Sequence, residues 1–363
     1  MTRWRASAAR RGAWAAAGLA ALALIVWLGL MWLGLAPRDS RAPFAESRVP
    51  PDLAERFYPP ENWAWGLVQI GDGPALRYGV AAPPDAVSRA QVLILPDYGE
   101  SAETWFETVR DLNGAGLTVW VLEGVGQGGS SRLTRRRDLG HVVSFDADLA
   151  IARTMADQVI RPDPDVPWAI LGEGHGALVA ARLVETGARP AALILSAPAC
   201  PAESSVGARL RALGLGVLRA PGAGGWRRDG PDDFAAGRTH DRWRGSVTHR
   251  WQLANPDLRL GGPSLDWLSA ETKLAQAAEA NIGQIGIPTL VLRPGGRAPC
   301  PSPPAARSVS IPGAWASLEL EDDAHRRPWL AAILDAVAPI RPASPTPLRS
   351  RTVTHLFKPD RRL

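Results

Sequence analysis

The residues best placed to do chemistry lie between Trp168 and Gly176, reading Trp-Ala-Ile-Leu-Gly-Glu-Gly-His-Gly. An apolar run of strand type ends at Leu171, a glycine-rich turn follows, and a helical stretch opens near His175 or Gly176. That is the strand–turn–helix setting of a nucleophile elbow, Gly-x-Ser-x-Gly, whose strained turn leaves no room for flanking side chains. Gly172 and Gly176 hold the flanks, and the central position is Gly174. Glycine has no side chain with which to attack a carbonyl. The residues Gly172 to Ala177 also fit Gly-x-Gly-x-x-Ala, which lays a dinucleotide pyrophosphate on a helix N-terminus. Against that reading, the strand is not the first of its sheet. The next apolar run, ending in Ser196-Ala-Pro198, also carries no acid for a ribose. Nucleotide binding is not indicated.

Other side chains could in principle replace the missing nucleophile. Ser130, Ser131 and Ser196 sit near strand ends, but none on an elbow. His141 reads as a helix-entry residue, and Glu173 as a structural hydrogen-bonding group turned toward the sheet. Cys300 has no histidine beside it. Two cysteines exclude a Cys-rich zinc or iron–sulfur site, so no metal and no cofactor is expected.

The elements that must position these residues follow a clear alternation. Ala64–Ile70, the turn Gly71-Asp-Gly73 and Ala75–Val80 read as a hairpin. Strands are then expected at 91–95, 117–122, 168–171, 192–195, 288–292 and 307–311. Helices are expected near 102–112, 145–159, 177–186 and 325–337. Strands alternating with helices imply an α/β protein with a mainly parallel sheet covered on both faces. Residues 200–280 interrupt the pattern as a helical cap insertion above the strand ends. With 46% hydrophobic and 21% charged residues, the composition is that of a globular chain.

The ends differ from the body. Residues 1–11 carry four arginines and no acid, and 12–36 form an uncharged apolar run with Trp14, Trp27 and Trp32. That length suits a bilayer core, and the preceding arginines keep the N-terminus cytoplasmic and export the rest. The competing reading is a cleaved signal peptide. Residues 37–62 read as a tether, and the Pro-rich, basic stretch 339–363 as a disordered tail. The two ends together carry +9, which leaves about −4 for the body of a chain whose net charge is +5. The basicity is therefore terminal, and no nucleic-acid groove is indicated.

Several motifs together resemble the α/β-hydrolases of the lysophospholipase and monoacylglycerol lipase (serine aminopeptidase S33-like) type. They are Leu95-Pro-Asp-Tyr-Gly-Glu100, Trp105–Leu112, Gly126-Gln-Gly128 with Ser131-Arg132, and His141–Phe145. Leu195-Ser-Ala-Pro198 and Leu260-Gly-Gly-Pro263 with Trp267 complete the set, and the resemblance spans 63–338. It implies a Ser–Asp–His triad, with the nucleophile at Gly174, the acid at Arg297 and the histidine at Ala316. All three positions have lost the side chain the chemistry needs. The family's usual glycine after Pro96 is Asp97, which puts a carboxylate at the oxyanion site. In the stretch Glu123–Gly128 the usual arginine is Val125.

The resemblance implies a degenerate pocket bordered by Asp97, Tyr98, Gly174, His175 and Arg297, where His175 offers only its backbone N–H. Trp315 is placed to fill the space of the missing histidine, and Arg297 either holds an anion or points to solvent. The implied protein is a single-pass, membrane-anchored, non-catalytic member that binds a lipid or amphiphile or scaffolds a partner. The alternative is a surviving or rewired carboxylic-ester hydrolase. In the implied sheet Cys200 and Cys300 follow neighbouring strands, so in an oxidising compartment they are expected to pair. The sequence names no protein partner.

Overall fold

In a computed structural model the chain is described over residues 2–35, 43–84, 87–162, 165–201, 204–296, 300 and 302–338. The hairpin forms β1 (Ala64–Gln69) and β2 (Ala75–Ala81). The remaining strands are β3 (Ala90–Leu95), β4 (Leu117–Leu122), β5 (Trp168–Glu173), β6 (Ala192–Ser196), β7 (Thr289–Pro294) and β8 (Arg307–Ile311). They make one sheet of order β1-β2-β4-β3-β5-β6-β7-β8, antiparallel at β1–β2 and β2–β4 and parallel elsewhere. The chain therefore has the expected α/β fold, a mainly parallel central sheet with helices on both faces.

The helices are α1 (Thr2–Leu35), α2 (Phe106–Gly114), α3 (Asp146–Thr154), α4 (His175–Glu185) and α5 (Ser205–Ala212). The turn-length α6 (Arg242–Gly245), then α7 (Val247–Ala254), α8 (Leu265–Asn281) and α9 (Asp323–Val337) complete them. Residues alternate across the central strands as a pleat requires. Leu93, Ile170 and Leu193 meet α3, α4 and α8 on one face, and Val92, Ala169 and Ile194 meet α2 and α9 on the other. Both faces being covered explains why these strands read as continuous apolar runs. The insertion between β6 and β7 carries α5 to α8 over the C-terminal ends of the parallel strands, as the cap.

Helix α1 begins at Thr2, so the basic first residues and the apolar run after them form one helix. Within it, Ala13–Trp32 is long and apolar enough to cross a membrane. One expectation about the ends needs correction: the expected tether, 37–62, lies on the domain from residue 43 onward. Its apolar residues are the reason, since Leu53 and Phe57 are buried against Phe106 and Trp251. Arg77, fully buried in β2, accounts for the rest. Its guanidinium donates to Glu123 (2.9 Å) and Glu103 (2.8 Å), and reaches the carbonyl of Ala45 (3.2 Å) and the hydroxyl of Ser47 (3.1 Å). The tail 339–363 lies outside the described residues.

Cys200 and Cys300 are bonded, with Cα atoms 5.8 Å apart. The bridge joins the segments after β6 and β7 across neighbouring strands, within the range a disulfide spans. Titration of the denatured, unreduced protein with a thiol reagent should find no free thiol. Two per chain would contradict the bridge.

Candidate functional site

The elbow is retained in full backbone detail. Gly174 joins β5 to α4 with φ +52° and ψ −112°, a conformation that costs other residues strain. A Cβ at Gly172 would overlap the backbone of Gly176 and Ala177, and one at Gly176 would overlap the carbonyl of Leu95. Both flanking glycines are thus required by close approach, as in an elbow built around a nucleophile.

The space the nucleophile would use is filled. A Cβ at Gly174 would fall onto the carboxylate of Asp97. That carboxylate accepts the backbone N–H of His175 through Oδ1 at 2.7 Å. The residue after the nucleophile supplies an oxyanion-hole donor in such elbows, so Asp97 sits where the transition-state oxygen would. It also places a negative charge on the N-terminus of α4, where helix dipole and free N–H groups favour an anion. That carboxylate takes the place at the helix N-terminus that a bound phosphate would use.

Asp97 is held from the cap. Its Oδ2 lies 3.3 Å from Nη2 of Arg238, whose Nε is 3.2 Å from the Ser317 hydroxyl and 3.5 Å from Asp233. Arg238 therefore ties together the β3–α2 loop, the cap and the loop after β8 that contains Ala316. Burial works against its charge, but Asp233 and Asp97 hold its guanidinium protonated all the more firmly. Ala316 is half-buried between Trp315 and Ser317. The ring of Trp315 lies on His240, 3.9 Å between centroids, and is 40% exposed, so it does not fill a histidine-shaped gap inward. Arg297 falls outside the described residues. Its loop is represented by Gly295, Gly296 and the bridged Cys300.

Beneath Asp97 lies a group of buried carboxyls. Glu100 accepts the Asp97 N–H (3.1 Å) and the Trp105 indole N–H (2.9 Å). Burial, followed by the charge of Asp97, pushes its carboxyl up to about 7. Glu173 and Glu319 are buried beside it. Burial above all, and then the neighbouring carboxylates, lift both well above the usual carboxylate range. Ser196 hydrogen-bonds Glu173 and accepts from the Trp329 indole at 2.8 Å. In place of a triad the sheet edge holds three buried carboxyls, Glu100, Glu173 and Glu319, under the Asp97–Arg238 ion pair, with both Glu319 oxygens and Oε2 of Glu173 left without a hydrogen-bond partner among the described residues.

The other candidates are all engaged. Tyr98 donates to the Gly261 carbonyl (2.8 Å) and packs edge-on against Trp267 (4.4 Å), so its phenol joins loop to cap. The His175 ring turns away from the elbow, against Phe145 (4.4 Å) and 3.3 Å from Glu271 on α8. Ser130 and Ser131 accept the backbone N–H groups of Arg77 (2.9 Å) and Ala75 (3.0 Å). His141 does not open a helix. Its Nδ1 lies 2.9 Å from the hydroxyl of Ser264, the N-cap of α8, and burial lowers its pKa. Cys300 is in the bridge. The Ser264–His141 contact pairs a hydroxyl with an imidazole, but both are buried, away from the elbow, and the hydroxyl caps α8 by accepting the Trp267 N–H.

Between the cap and the Tyr98–Glu100 loop lies an open cleft of about 750 Å³. Tyr98, Glu100, Trp226, Arg238, His249 and Gln252 are among the residues that line it. Sequence reasoning singled out Asp97, Gly174 and Ala316 and missed Arg238, Ser317 and Glu319. Within Leu318-Glu-Leu-Glu321 the signal was present as acids interleaved with apolar residues beside the histidine position.

Comparison with known proteins agrees with this geometry. The family model described as serine aminopeptidase, S33 (Hydrolase_4) matches residues 86–297. Lysophospholipase L2 of Escherichia coli strain K12 is 27% identical over 215 residues, which are 56% of this chain and 62% of that protein. The chain thus spans less than two thirds of the length of that curated relative. Among solved structures, a monoglyceride lipase from Saccharomyces cerevisiae superposes with a TM-score of 0.57 at 14% identity. That match covers 85% of this chain and 100% of the lipase. The monoacylglycerol lipase of Paleococcus ferrophilus gives 0.54 at 15% identity, over 73% of this chain and 99% of the other. At such identities these two show the fold alone.

Proposed function

The chain belongs to the serine aminopeptidase S33 family, and from that premise we propose that it is a member that keeps the elbow and the cap but no longer hydrolyses esters. The observation that carries this reading is the Asp97 carboxylate on the His175 N–H at 2.7 Å. A carboxylate there opposes the negative charge that an acyl-transfer transition state develops. Gly174 has no group to attack with, and Ala316 has no basic nitrogen to accept the nucleophile's proton.

Binding is the activity that such a site can retain. The 750 Å³ cleft has the volume of a small-molecule pocket. Aromatic rings at Tyr98 and Trp226 and charges of both signs at Asp233, Arg227 and Arg238 suit the polar end of an amphiphile or lipid. In this proposal Ala13–Trp32 anchors the protein in the cell membrane with the arginines of residues 1–11 on the cytoplasmic side. The main domain then lies on the exported side, a placement that the Cys200–Cys300 bridge supports. The Trp27 indole donates to the Leu213 carbonyl (3.0 Å), next to the exposed Val206 and Leu213 of the cap. This contact supports a cap edge held at the lipid surface.

Native mass spectrometry of the full chain extracted in detergent tests the binding. The expected result is a population heavier by the mass of one amphiphile, reduced in Trp226→Ala. Bare chain mass in every preparation would overturn it, and a co-purified protein chain in place of a lipid would favour a scaffold. The second reading, a surviving esterase, rests on the kinship with lysophospholipase L2 and on the intact elbow backbone.

A further inference from the structure

Away from the elbow, two histidines distant in sequence meet at the seam between cap and body. His240 stands in the cap just before α6, and Asp322 and His325 form the first turn of α9. One ligand-capable atom from each lies within 4.8 Å of the other two. The two imidazole rings face each other at 5.2 Å with an interplanar angle of 23°.

The surroundings orient the rings. Glu321, whose carboxylate has no exposed surface, lies 3.0 and 3.1 Å from Nδ1 of His240 and accepts the His240 backbone N–H at 2.8 Å. The backbone N–H groups of Asp322 (3.2 Å) and Trp315 (2.5 Å) donate to the same carboxylate. An imidazole that donates Nδ1–H to a carboxylate presents Nε2 as a lone pair, the arrangement that carboxylate–histidine pairs adopt behind metal ions. Asp322 Oδ1 lies 2.7 Å from His325 Nδ1 and also caps α9. Trp315 covers the His240 ring (3.9 Å). The nearby Arg244 spends its charge on Glu107, Asp241 and Asp323. The side chains of His240 and His325 remain 31% and 22% exposed, which leaves room for entry and for water as a further ligand.

We propose that His240, His325 and Asp322 bind one divalent d-block cation of the zinc class, with Glu321 as a positioning residue, and that the ion fastens the cap to the start of α9. Two imidazoles and a single carboxylate select zinc, cobalt or nickel over magnesium or calcium, which require a mainly oxygen shell. The proposal is independent of whether the elbow hydrolyses anything.

The test uses the full chain in detergent, with an affinity tag free of histidine and after treatment with a chelator. Equilibrium dialysis against Zn²⁺ should give one equivalent per chain, and Co²⁺ should give the visible bands of a low-coordinate nitrogen–oxygen site. His240→Asn and His325→Asn should each abolish the Co²⁺ bands, and Glu321→Gln should weaken binding about 10–100-fold. His249→Asn, at a ring that stacks on Trp226 outside the cluster, should leave the Zn²⁺ stoichiometry and the Co²⁺ bands as in the parent. Zn²⁺ should also protect the parent's cap from limited proteolysis, a readout that needs no variant. The proposal is overturned if the parent retains no more Zn²⁺ than the His240→Asn/His325→Asn double variant. Two unmetallated histidine–carboxylate pairs would then be the whole content of the cluster.

Discussion

Gly174→Ser yields a protein that turns over no ester and is less stable than its parent by about 2–4 kcal/mol. The destabilisation has two sources in the elbow. The left-handed φ of +52° strains any residue with a Cβ, and that Cβ would overlap the Asp97 carboxylate. The carboxylate cannot simply withdraw, because it holds both the His175 N–H and Arg238. Activity does not return, because no imidazole lies beside the new hydroxyl, and the neighbouring Asp97 carboxylate is engaged by the His175 N–H and Arg238 and occupies the oxyanion donor. Asp97→Gly in the same chain should recover most of the stability lost to overlap while leaving turnover absent. Denaturant melts of the single and double variants, with an ester assay on each, check both statements. Turnover by the single variant would reveal a base elsewhere.

The second large effect is a dependence on pH that runs opposite to ordinary acid denaturation. Burial and then Asp97 lift the Glu100 carboxyl from 4.5 to about 7 in the folded protein. Between those values the folded chain binds a proton that the unfolded chain releases. Stability therefore falls as pH rises, by about 1.4 kcal/mol per pH unit for this group. Above pH 7 the accumulated cost of Glu100 is on the order of 3 kcal/mol. Glu173 and Glu319, which are also raised, add to the same slope. Carboxyls held low by arginine partners, such as Glu103 beside Arg77 and Glu107 beside Arg244, act in the other sense: their contribution is lost as pH falls below the usual carboxylate range. Glu100→Gln should be more stable than the parent at pH 8, with the advantage gone by pH 5. Urea melts at several pH values decide it. Parallel stability curves for the two proteins would show that Glu100 is ionised alike in both states.

How far the sequence could be read depended on the kind of interaction. Each central strand was legible because burial on both faces demands an unbroken apolar run, such as Leu93-Ile-Leu95 or Ala169-Ile-Leu171. The empty elbow was legible because it is local: Gly172, Gly174 and Gly176 are consecutive features of one turn. Asp97 in the oxyanion loop was visible through the family resemblance, although its bond to the His175 N–H had to be seen. Arg238 was not legible. It lies 141 residues from Asp97, in a cap segment without periodicity, and only the fold brings the two together. The first part of the domain, from residue 43, was misread as a tether because Pro and charge dominate it. Its apolar anchors, Leu53 and Phe57, are too widely spaced to register as an element. Glu173 was expected to make a structural hydrogen bond, and it does. Its burial beside Glu100 and Glu319, which raises the pKa of all three, depends on strands and loops far apart in sequence.

The measurement that tests the central claim most directly is turnover by the native full chain in detergent, against a monoacylglycerol, a lysophospholipid and a chromogenic short-chain ester. A fluorophosphonate probe should be applied in parallel. With Asp97 on the oxyanion donor and Gly174 at the nucleophile position, hydrolysis should not exceed that of the heat-denatured control, and no label should attach to the chain. Stoichiometric labelling, together with turnover that heat denaturation abolishes, would contradict the account.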